Sequence, residues 1–345
     1  MHLGRRHNRA LVAGGAGFIG SNLVRSLLSK NRKVDCVDSL ITGQSANLSE
    51  FRGNPDFRFI QGDIADSGIA AWLLRESYSE IYHLACPTGV PNIARMGGEM
   101  LAACSAGTLN LLRAAKKSHA KFLYASSAEV YGDPEVMPQR ESYAGNVDPV
   151  GPRSPYEEGK RFGEALTAFH ARDWQLDARI VRIFNTYGTN MSASDSRVIP
   201  KMLANMIAGE PVVIYGDGRQ TRAFLHVDDL VDGFFRVMRC RCVGDVFNIG
   251  GEHETSIRDL FGVLSGITAC DLPPVFEPHF IEDHKRRLPE TAKIRDLGWN
   301  PRISLEAGLR RSYLEATSVS AGTAGLWPAR RQREKVHSLP MALSA

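Results

Sequence analysis

The feature that most constrains the fold is a glycine-rich turn, GGAGFIG, placed between an apolar run and an amphipathic helical pattern. Gly14 permits a sharp turn, Gly17 lets backbone amide groups approach an anion, and Gly20 lets a helix pack closely against a strand. A helix beginning at Phe18 and Ile19 would direct the positive end of its dipole at that anion. A strand, such a turn and a helix in this order predict the first unit of a parallel α/β sheet that binds a dinucleotide pyrophosphate.

The first half of the chain alternates short apolar runs with helical patterns, which is typical of a parallel sheet with crossover helices. We predict a doubly wound, Rossmann-type α/β domain over residues 9–185, and a smaller C-terminal α+β substrate-binding region over 186–317. Residues 1–8 are an N-terminal extension, and residues 318–345, which lack periodicity, are expected to be disordered. Strands are expected at 10–15, 33–38, 57–63, 80–85, 121–127 and 177–185, and helices at 18–30, 97–118, 155–172 and 198–208.

An acidic residue at the end of the second predicted strand indicates the cofactor. Asp38 follows the glycine-rich turn at about the 20-residue spacing expected of a carboxylate that binds a ribose. Because such a carboxylate accepts hydrogen bonds from ribose hydroxyls and repels a 2′-phosphate, we expect NAD and not NADP. Ligands bind at the carboxyl ends of parallel strands. The third and fourth strands are therefore expected to add cofactor contacts from Asp63, Ile64, Leu84 and Ala85.

A serine, a tyrosine and a lysine form the predicted catalytic centre. Tyr156 and Lys160 are one helical turn apart and share a helix face. The lysine ammonium favours the phenolate, so the pKa of Tyr156 is expected to fall from its usual value of about 10. Ser127 ends the preceding strand and can hydrogen-bond the oxygen that reacts. Tyr156 can then take the proton of a sugar hydroxyl while a hydride leaves for NAD.

These features are joined by further motifs that make the chain resemble the extended short-chain dehydrogenases/reductases acting on nucleotide sugars. The resemblance spans about residues 9–316, and within the family the chain is most similar to the UDP-glucuronate decarboxylases, which form UDP-xylose. UDP-galactose 4-epimerases and dTDP-glucose 4,6-dehydratases share less of the pattern. The motifs are YHLACP, YASSAEVYGDP, SPYEEGK, RIFNTYG, QTRAFLHVDDL and the Arg-x-Pro stretch before LGW.

The resemblance implies NAD-dependent oxidation of carbon 4 of UDP-glucuronate. The product is a β-keto acid, whose carbonyl accepts the electrons left as carbon dioxide departs; return of the hydride makes the cycle redox-neutral, with NAD as a tightly held catalyst. The implied catalytic residues are Ser127, Glu129, Tyr156, Lys160 and Arg222, and Tyr156 and Lys160 also contact the cofactor. The implied substrate contacts are Pro87, Ser127, Glu129, Asn185, Arg197, Tyr215, Arg222 and Arg287. Of these, the resemblance places Arg197, Tyr215 and Arg287 along the uridine diphosphate, where arginine suits phosphate.

Two positions depart from the family pattern. Ala128 replaces the serine of the decarboxylase motif, and alanine at this position is also what UDP-galactose 4-epimerases show. A UDP-glucuronate or UDP-hexose 4-epimerase is therefore the alternative reaction, and a catalytically silent NAD-binding scaffold is an alternative of another class. Cys104 stands where relatives have a structural asparagine, and the loss of such a residue from a buried network usually costs stability.

Composition limits the partners and the compartment. The net charge of +4, from 42 basic and 38 acidic residues, does not indicate nucleic-acid binding, and no apolar run is long enough for a membrane span. Six cysteines without a secretory signal suit the cytoplasm, and the lone Cys240-x-Cys242 pair predicts no metal site. Relatives often dimerise through two long helices, which implies a homodimer formed by 97–118 and 155–172.

Overall fold

The computed structural model describes residues 8–278 and 286–319. Most of the predicted N-terminal extension and nearly all of the predicted tail lie outside these residues; the last helix runs to Val319, slightly past the predicted start of the tail. The strands are β1 (Arg9–Ala13), β2 (Lys33–Asp38), β3 (Phe57–Gln61), β4 (Glu80–His83), β5 (Lys121–Ser127), β6 (Ala178–Ile183), β7 (Thr186–Tyr187), β8 (Val213–Tyr215), β9 (Thr221–Ala223), β10 (Leu225–His226), β11 (Val246–Ile249), β12 (Glu254–Ser256) and β13 (Val275–Glu277).

Helices fill most of the connections between these strands. Two short 3-10 helices lie at Ser45–Phe51 and Ala128–Tyr131, and a π turn lies at Ala103–Gly107. The α-helices are α1 (Phe18–Leu28), α2 (Ser67–Leu73), α3 (Val90–Arg95), α4 (Gly97–Ala102), α5 (Thr108–Ser118), α6 (Ser154–Asp173), α7 (Val198–Ala208), α8 (Val227–Arg239), α9 (Ile257–Thr268), α10 (Ala292–Arg295) and α11 (Leu305–Val319). Within the described ranges, no helix is both long enough and apolar enough to cross a bilayer.

Seven parallel strands form the central sheet in the order β11-β6-β5-β4-β1-β2-β3, which confirms the predicted Rossmann-type α/β fold. After β3 the chain crosses to the other side of β1, so the connections leaving β1 and β4 diverge and open a crevice at the carboxyl edge. Ala13 pairs with Val37 on β2 and with His83 on β4, so the three strands end at one level.

The strands are apolar along their length because both faces of the sheet are covered. Leu11 and Val12 are fully buried on opposite faces of β1, in two separate apolar clusters. One cluster includes side chains of α1 and α8, and the other includes side chains of α5. Burying a side chain of this size contributes about 1.5–3 kcal/mol. The long helix predicted at 97–118 is helical throughout, with the π turn between α4 and α5.

The central sheet takes its last strand from the C-terminal half of the chain. β11 pairs with β6, so the sheet extends beyond the predicted boundary at residue 185. The rest of that half is α+β: the short pairs β8–β13 and β9–β12 stand beside α7, α9 and α11 around a third apolar cluster. The polar segment after β6 packs onto α1, where Asn22 Nδ2 donates to the Thr189 carbonyl at 2.8 Å. This contact joins the C-terminal region to the first helix of the sheet.

Candidate active site

The glycine-rich turn has the shape that a pyrophosphate requires. Gly14 adopts a φ of +84°, and a Cβ there would lie 2.6 Å from the backbone nitrogen of Ala85. A Cβ on Gly20 would lie 2.0 Å from the Gly14 carbonyl oxygen, so only glycine lets α1 approach the turn. Gly17 is the N-cap of α1 and provides no side-chain cap, which leaves the first amide groups of the helix, at Phe18 and Ile19, available to an anion.

The carboxylate of Asp38 ties the turn to the end of β2. Its Oδ2 accepts a hydrogen bond from the Ala16 amide and its Oδ1 accepts one from the Leu40 amide, both at 2.9 Å. Burial raises the pKa of Asp38, and these two hydrogen bonds oppose that effect. Each carboxylate oxygen keeps a second lone pair for a ribose hydroxyl. Asp38 therefore has the position and the remaining acceptor capacity for its predicted role.

The predicted cofactor contacts after β3 and β4 lie at the same edge of the sheet. Asp63 is exposed, and its Oδ1 accepts a hydrogen bond from the Ala65 amide at 2.8 Å. The Ile64 side chain is only 3 % exposed and belongs to the apolar cluster that includes α5, so its backbone is the part available to a cofactor. Leu84 and Ala85 are partly buried. The uncapped helix end and the Asp38 carboxylate fit NAD, which would supply a hydride acceptor and a positively charged ring.

Ser127, Tyr156 and Lys160 meet where β5 ends and α6 begins. The Ser127 hydroxyl lies close enough to the Tyr156 phenol to lower the pKa of Tyr156. The Lys160 Nζ lies 5.8 Å from the centre of the Tyr156 ring and donates a hydrogen bond to the Ala125 carbonyl at 2.8 Å. Lys160 is 4 % exposed, so its charge acts on the phenol with little screening by water. The arrangement can hold and transfer a proton at the Tyr156 oxygen.

The expected fall in the pKa of Tyr156 is not what the structure shows. Burial raises the pKa of Tyr156 to about 12, and this effect outweighs the Lys160 ammonium and the hydrogen bond with Ser127, which both lower it. The prediction was wrong for the protein without ligands, because the spacing of Tyr156 and Lys160 says nothing about the loss of solvent around the phenol. Additional positive charge in the crevice would act in the same direction as Lys160.

Glu129 lies two residues beyond Ser127 and is paired with two arginines. Arg287 reaches it with both terminal nitrogens, and its Nη2 lies 2.8 Å from Glu129 Oε2. Arg153 Nη2 lies 2.6 Å from the same oxygen. Burial raises the pKa of Glu129, but Arg287 and then Arg153 outweigh that effect and hold the pKa well below its usual range. The structure thus places Arg287 beside the predicted catalytic glutamate, whereas the resemblance had placed it along the uridine diphosphate.

The other predicted substrate residues lie on separate elements. Arg222 is on β9 and 9 % exposed, and its Nη1 donates to the Thr221 carbonyl at 2.8 Å. Asn185 follows β6, and its carbonyl accepts a hydrogen bond from the Leu225 amide at 2.9 Å. Pro87 is buried in the loop after β4. Their predicted contacts with substrate stay predictions.

Arg197 and Tyr215 are the most accessible of the predicted substrate residues. Arg197 forms an ion pair with Asp195 at 2.6 Å, and its guanidinium carbon lies 5.6 Å from the Phe18 ring at the start of α1. Tyr215 is 37 % exposed, and Lys201 Nζ lies 5.4 Å from its ring. Arg197 thus stands near the start of α1, and its contact with the substrate diphosphate stays a prediction.

Sequence reasoning missed Arg153 and the partners of Ser126. Arg153 precedes Tyr156 by three residues, so its place at the start of α6 was the available signal. The Ser126 hydroxyl donates to Glu164 Oε1 at 2.6 Å, and Arg182 pairs with the same carboxylate at 2.7 Å. Ser126 thus enters an ion pair inside the fold, whereas Ser127, the last residue of β5, lies at the edge of the sheet.

Comparison with known proteins agrees with this geometry. The chain is 40 % identical over 310 residues to UDP-glucuronic acid decarboxylase 1 of Arabidopsis thaliana, covering 90 % of this chain and 70 % of the plant protein. Its fold is similar to UDP-glucose 4-epimerase of Thermotoga maritima, solved with UDP-glucose: the TM-score is 0.82 and the identity 30 %, over 89 % of this chain and 98 % of that one.

A second solved structure of similar fold is UDP-glucuronic acid 4-epimerase of Bacillus cereus, in complex with UDP-glucuronic acid and NAD. Its TM-score is 0.78 and its identity 28 %, over 89 % of this chain and 98 % of that one. The resemblance read from the motifs and the choice of NAD as cofactor are confirmed. The model of the NAD dependent epimerase/dehydratase family matches residues 10–250, and the chain belongs to that family.

Proposed function

We propose that this chain oxidises carbon 4 of UDP-glucuronate and decarboxylates the product to UDP-xylose, with NAD as a tightly held catalyst. The observation that carries the proposal is the Arg287 fork, which holds a carboxylate two residues beyond Ser127. Two arginines, Arg287 and Arg153, face the single carboxylate of Glu129, and their positive charge would attract a sugar that carries its own carboxylate. The similarity to a plant UDP-glucuronic acid decarboxylase points to the same substrate.

The side chains divide the work of this reaction. Tyr156 would take the proton of the carbon-4 hydroxyl, with Ser127 orienting that hydroxyl and Lys160 stabilising the phenolate. Glu129 is held ionised by its two arginines. A second carboxylate beside it is repelled, and departure of that group as neutral carbon dioxide relieves the repulsion. Arg287 would keep both anions in place until the bond breaks.

The position of Ala128 weakens one argument for the rival 4-epimerisation. Ala128 is 3 % exposed and belongs to a small apolar cluster with Val130, Tyr131 and Phe184. The Ala128 methyl group therefore fills space in this apolar cluster. The absence of the serine hydroxyl at this position then carries less weight against the decarboxylase than the motif alone suggested.

Incubation of the purified protein with UDP-glucuronate labelled with ¹³C at carbon 6 tests the proposal. We expect labelled carbon dioxide and unlabelled UDP-xylose in equal amounts, without net reduction of NAD, measured by NMR and mass spectrometry. UDP-galacturonate that keeps the label would establish the 4-epimerase instead. Unchanged substrate, in a protein that binds NAD, would favour the silent scaffold or another sugar.

We further propose that the chain is a homodimer and resides in the cytoplasm. Three large apolar side chains are about half exposed on the helices expected to pair: Leu101 on α4 at 46 %, and Phe162 and Phe169 on α6 at 51 % and 52 %. Phe162 and Phe169 are seven residues apart and share one helix face. A contact with the same face of a second copy would cover them. The cytoplasmic location rests on the cysteine usage of the sequence.

A further inference from the structure

Two cysteine thiols meet beside the Tyr156–Lys160 pair. Cys86 lies in the loop after β4 and Cys104 lies in the π turn, and their sulfur atoms are 3.7 Å apart. Cys104 is 1 % exposed, whereas Cys86 is only partly buried. The Cys104 sulfur also lies against α6, where a Cβ built on Gly159 would be 3.6 Å from it. The two thiols thus connect the wall of the cofactor crevice with the helix that carries Lys160.

The charges around the two thiols favour a reactive thiolate. The hydrogen bond from Cys86 and the ammonium of Lys160 lower the pKa of Cys104 to about 6, against the opposing effect of burial. The same hydrogen bond, together with burial, raises the pKa of Cys86. Of the two thiols, Cys104 is therefore the one whose thiolate form is favoured. A thiolate in such a position is the form that attacks other sulfur atoms.

We propose that Cys86 and Cys104 are a redox-active dithiol that hydrogen peroxide oxidises to a disulfide, and that this disulfide slows the reaction at Tyr156 and Lys160. The Cys104 thiolate attacks peroxide and keeps one oxygen as a sulfenic acid, while the other oxygen leaves as water. The Cys86 thiol then attacks the Cys104 sulfur and loses its proton, so that the sulfur–sulfur bond forms, the sulfur–oxygen bond breaks and a second water leaves. Two electrons pass from the two sulfurs to peroxide, and the Cys86 proton and one solvent proton end in water. A dithiol reductant reverses the change.

The cross-link would disturb the site by moving the loop after β4. A disulfide bond is about 2.05 Å long, so sulfur atoms now 3.7 Å apart must approach by about 1.6 Å. The loop after β4 also carries Leu84 and Ala85, which lie against Gly14, so its displacement reaches the cofactor crevice. A displacement of about 1 Å at reacting groups can cost about a hundredfold in rate.

Peroxide treatment of the whole protein with bound NAD tests the inference in two independent ways. After catalase and alkylation of the free thiols, trypsin releases Cys86 in peptide 76–95 and Cys104 in peptide 96–113. We expect mass spectrometry to find these two peptides joined. Turnover of UDP-glucuronate should fall tenfold to about a hundredfold and return with dithiothreitol. Detection of the disulfide does not depend on the proposed reaction. The loss of turnover does, because it is measured with UDP-glucuronate as substrate.

Matched variants separate this pair from the other thiols. Cys104→Ser, and Cys104→Asn with the residue that relatives carry, should keep basal turnover and lose sensitivity to peroxide. The double variant Cys240→Ser/Cys242→Ser removes a second pair of thiols that lie close together in the sequence, and its turnover should remain sensitive to peroxide. Absence of the 76–95/96–113 cross-link would overturn the dithiol, whatever the enzyme's substrate proves to be. A cross-linked protein with full turnover and unchanged NAD affinity would overturn its effect on the site.

Discussion

At the scale of single residues, the chemistry of this site depends on how burial and charge act on one phenol. Tyr156 and Lys160 are placed as their spacing predicts, yet burial raises the pKa of Tyr156 to about 12 in spite of the lysine. The hydroxyl is therefore neutral in the free protein at physiological pH. Its activity as a base must come with ligands that bring positive charge or hydrogen-bond donors to the phenol.

Replacing Tyr156→Phe removes the hydroxyl and keeps the ring. Because the proton acceptor is lost while the packing stays, we expect carbon dioxide release from UDP-glucuronate to fall by about 10²–10⁴-fold. NAD affinity, measured by calorimetry, and the melting temperature should stay close to those of the parent protein. Parental turnover in this variant would show that another group takes the proton.

At the scale of elements, the strand–turn–helix unit at the start of the chain positions the cofactor site. The predicted strands at 57–63, 80–85 and 177–185 each end two residues early, at Gln61, His83 and Ile183. Those two residues instead begin the loops that face the crevice. Because apolar character continues past the last strand pairing, an apolar run marks where a strand is but not where its hydrogen bonding stops.

Gly20→Ala tests the close approach of α1 to the turn. The added methyl would meet backbone atoms of Gly14 and Gly15, which cannot move aside as a side chain can. We expect the free energy of unfolding to fall by about 1–3 kcal/mol, and NAD affinity to fall with it because the turn is displaced.

The matched control for this variant is Gly262→Ala in α9, where a Cβ would meet nothing within 4 Å. Alanine there should stabilise the helix by up to about 1 kcal/mol, with unchanged NAD affinity. Chemical denaturation and calorimetry measure both variants. Equal stability of Gly20→Ala and the parent protein would contradict the close contact between α1 and the turn.

The parts that the sequence could predict are those determined by local pattern. The glycine-rich turn, the alternation of strands and helices, and the shared helix face of Tyr156 and Lys160 all depend on residues near each other in the chain. Pairings such as Glu129 with Arg287, 158 residues apart, depend on the completed fold. The recruitment of β11 to the sheet was missed for the same reason, since a four-residue strand carries little periodicity of its own.

At the scale of the whole molecule, the exposed apolar side chains of α4 and α6 support the proposed homodimer. Monomeric proteins expose single apolar residues freely, whereas several on adjoining helices are typical of an interaction surface. Both helices also carry the site: α6 holds Tyr156 and Lys160, and α4 leads into the π turn with Cys104. Association would therefore brace the helices on which the catalytic groups stand.

The double variant Phe162→Glu/Phe169→Glu should convert a dimer into a monomer, because two carboxylates per chain would be buried against the partner. Sedimentation velocity gives the mass of each species. Val150→Glu, in a loop position that is 89 % exposed, is the control and should leave the oligomeric state unchanged. A parent protein that sediments as a monomer would contradict the proposed homodimer.

The two amide contacts of Asp38 bear on any effort to exchange the cofactor. This carboxylate fastens the glycine-rich turn to the chain leaving β2, through Ala16 on one side and Leu40 on the other. A small neutral side chain introduced at position 38 to admit a 2′-phosphate would also remove these two hydrogen bonds. Redesign toward NADP would therefore require a new hydrogen-bond acceptor for the Ala16 and Leu40 amides, as well as a cationic side chain for the 2′-phosphate.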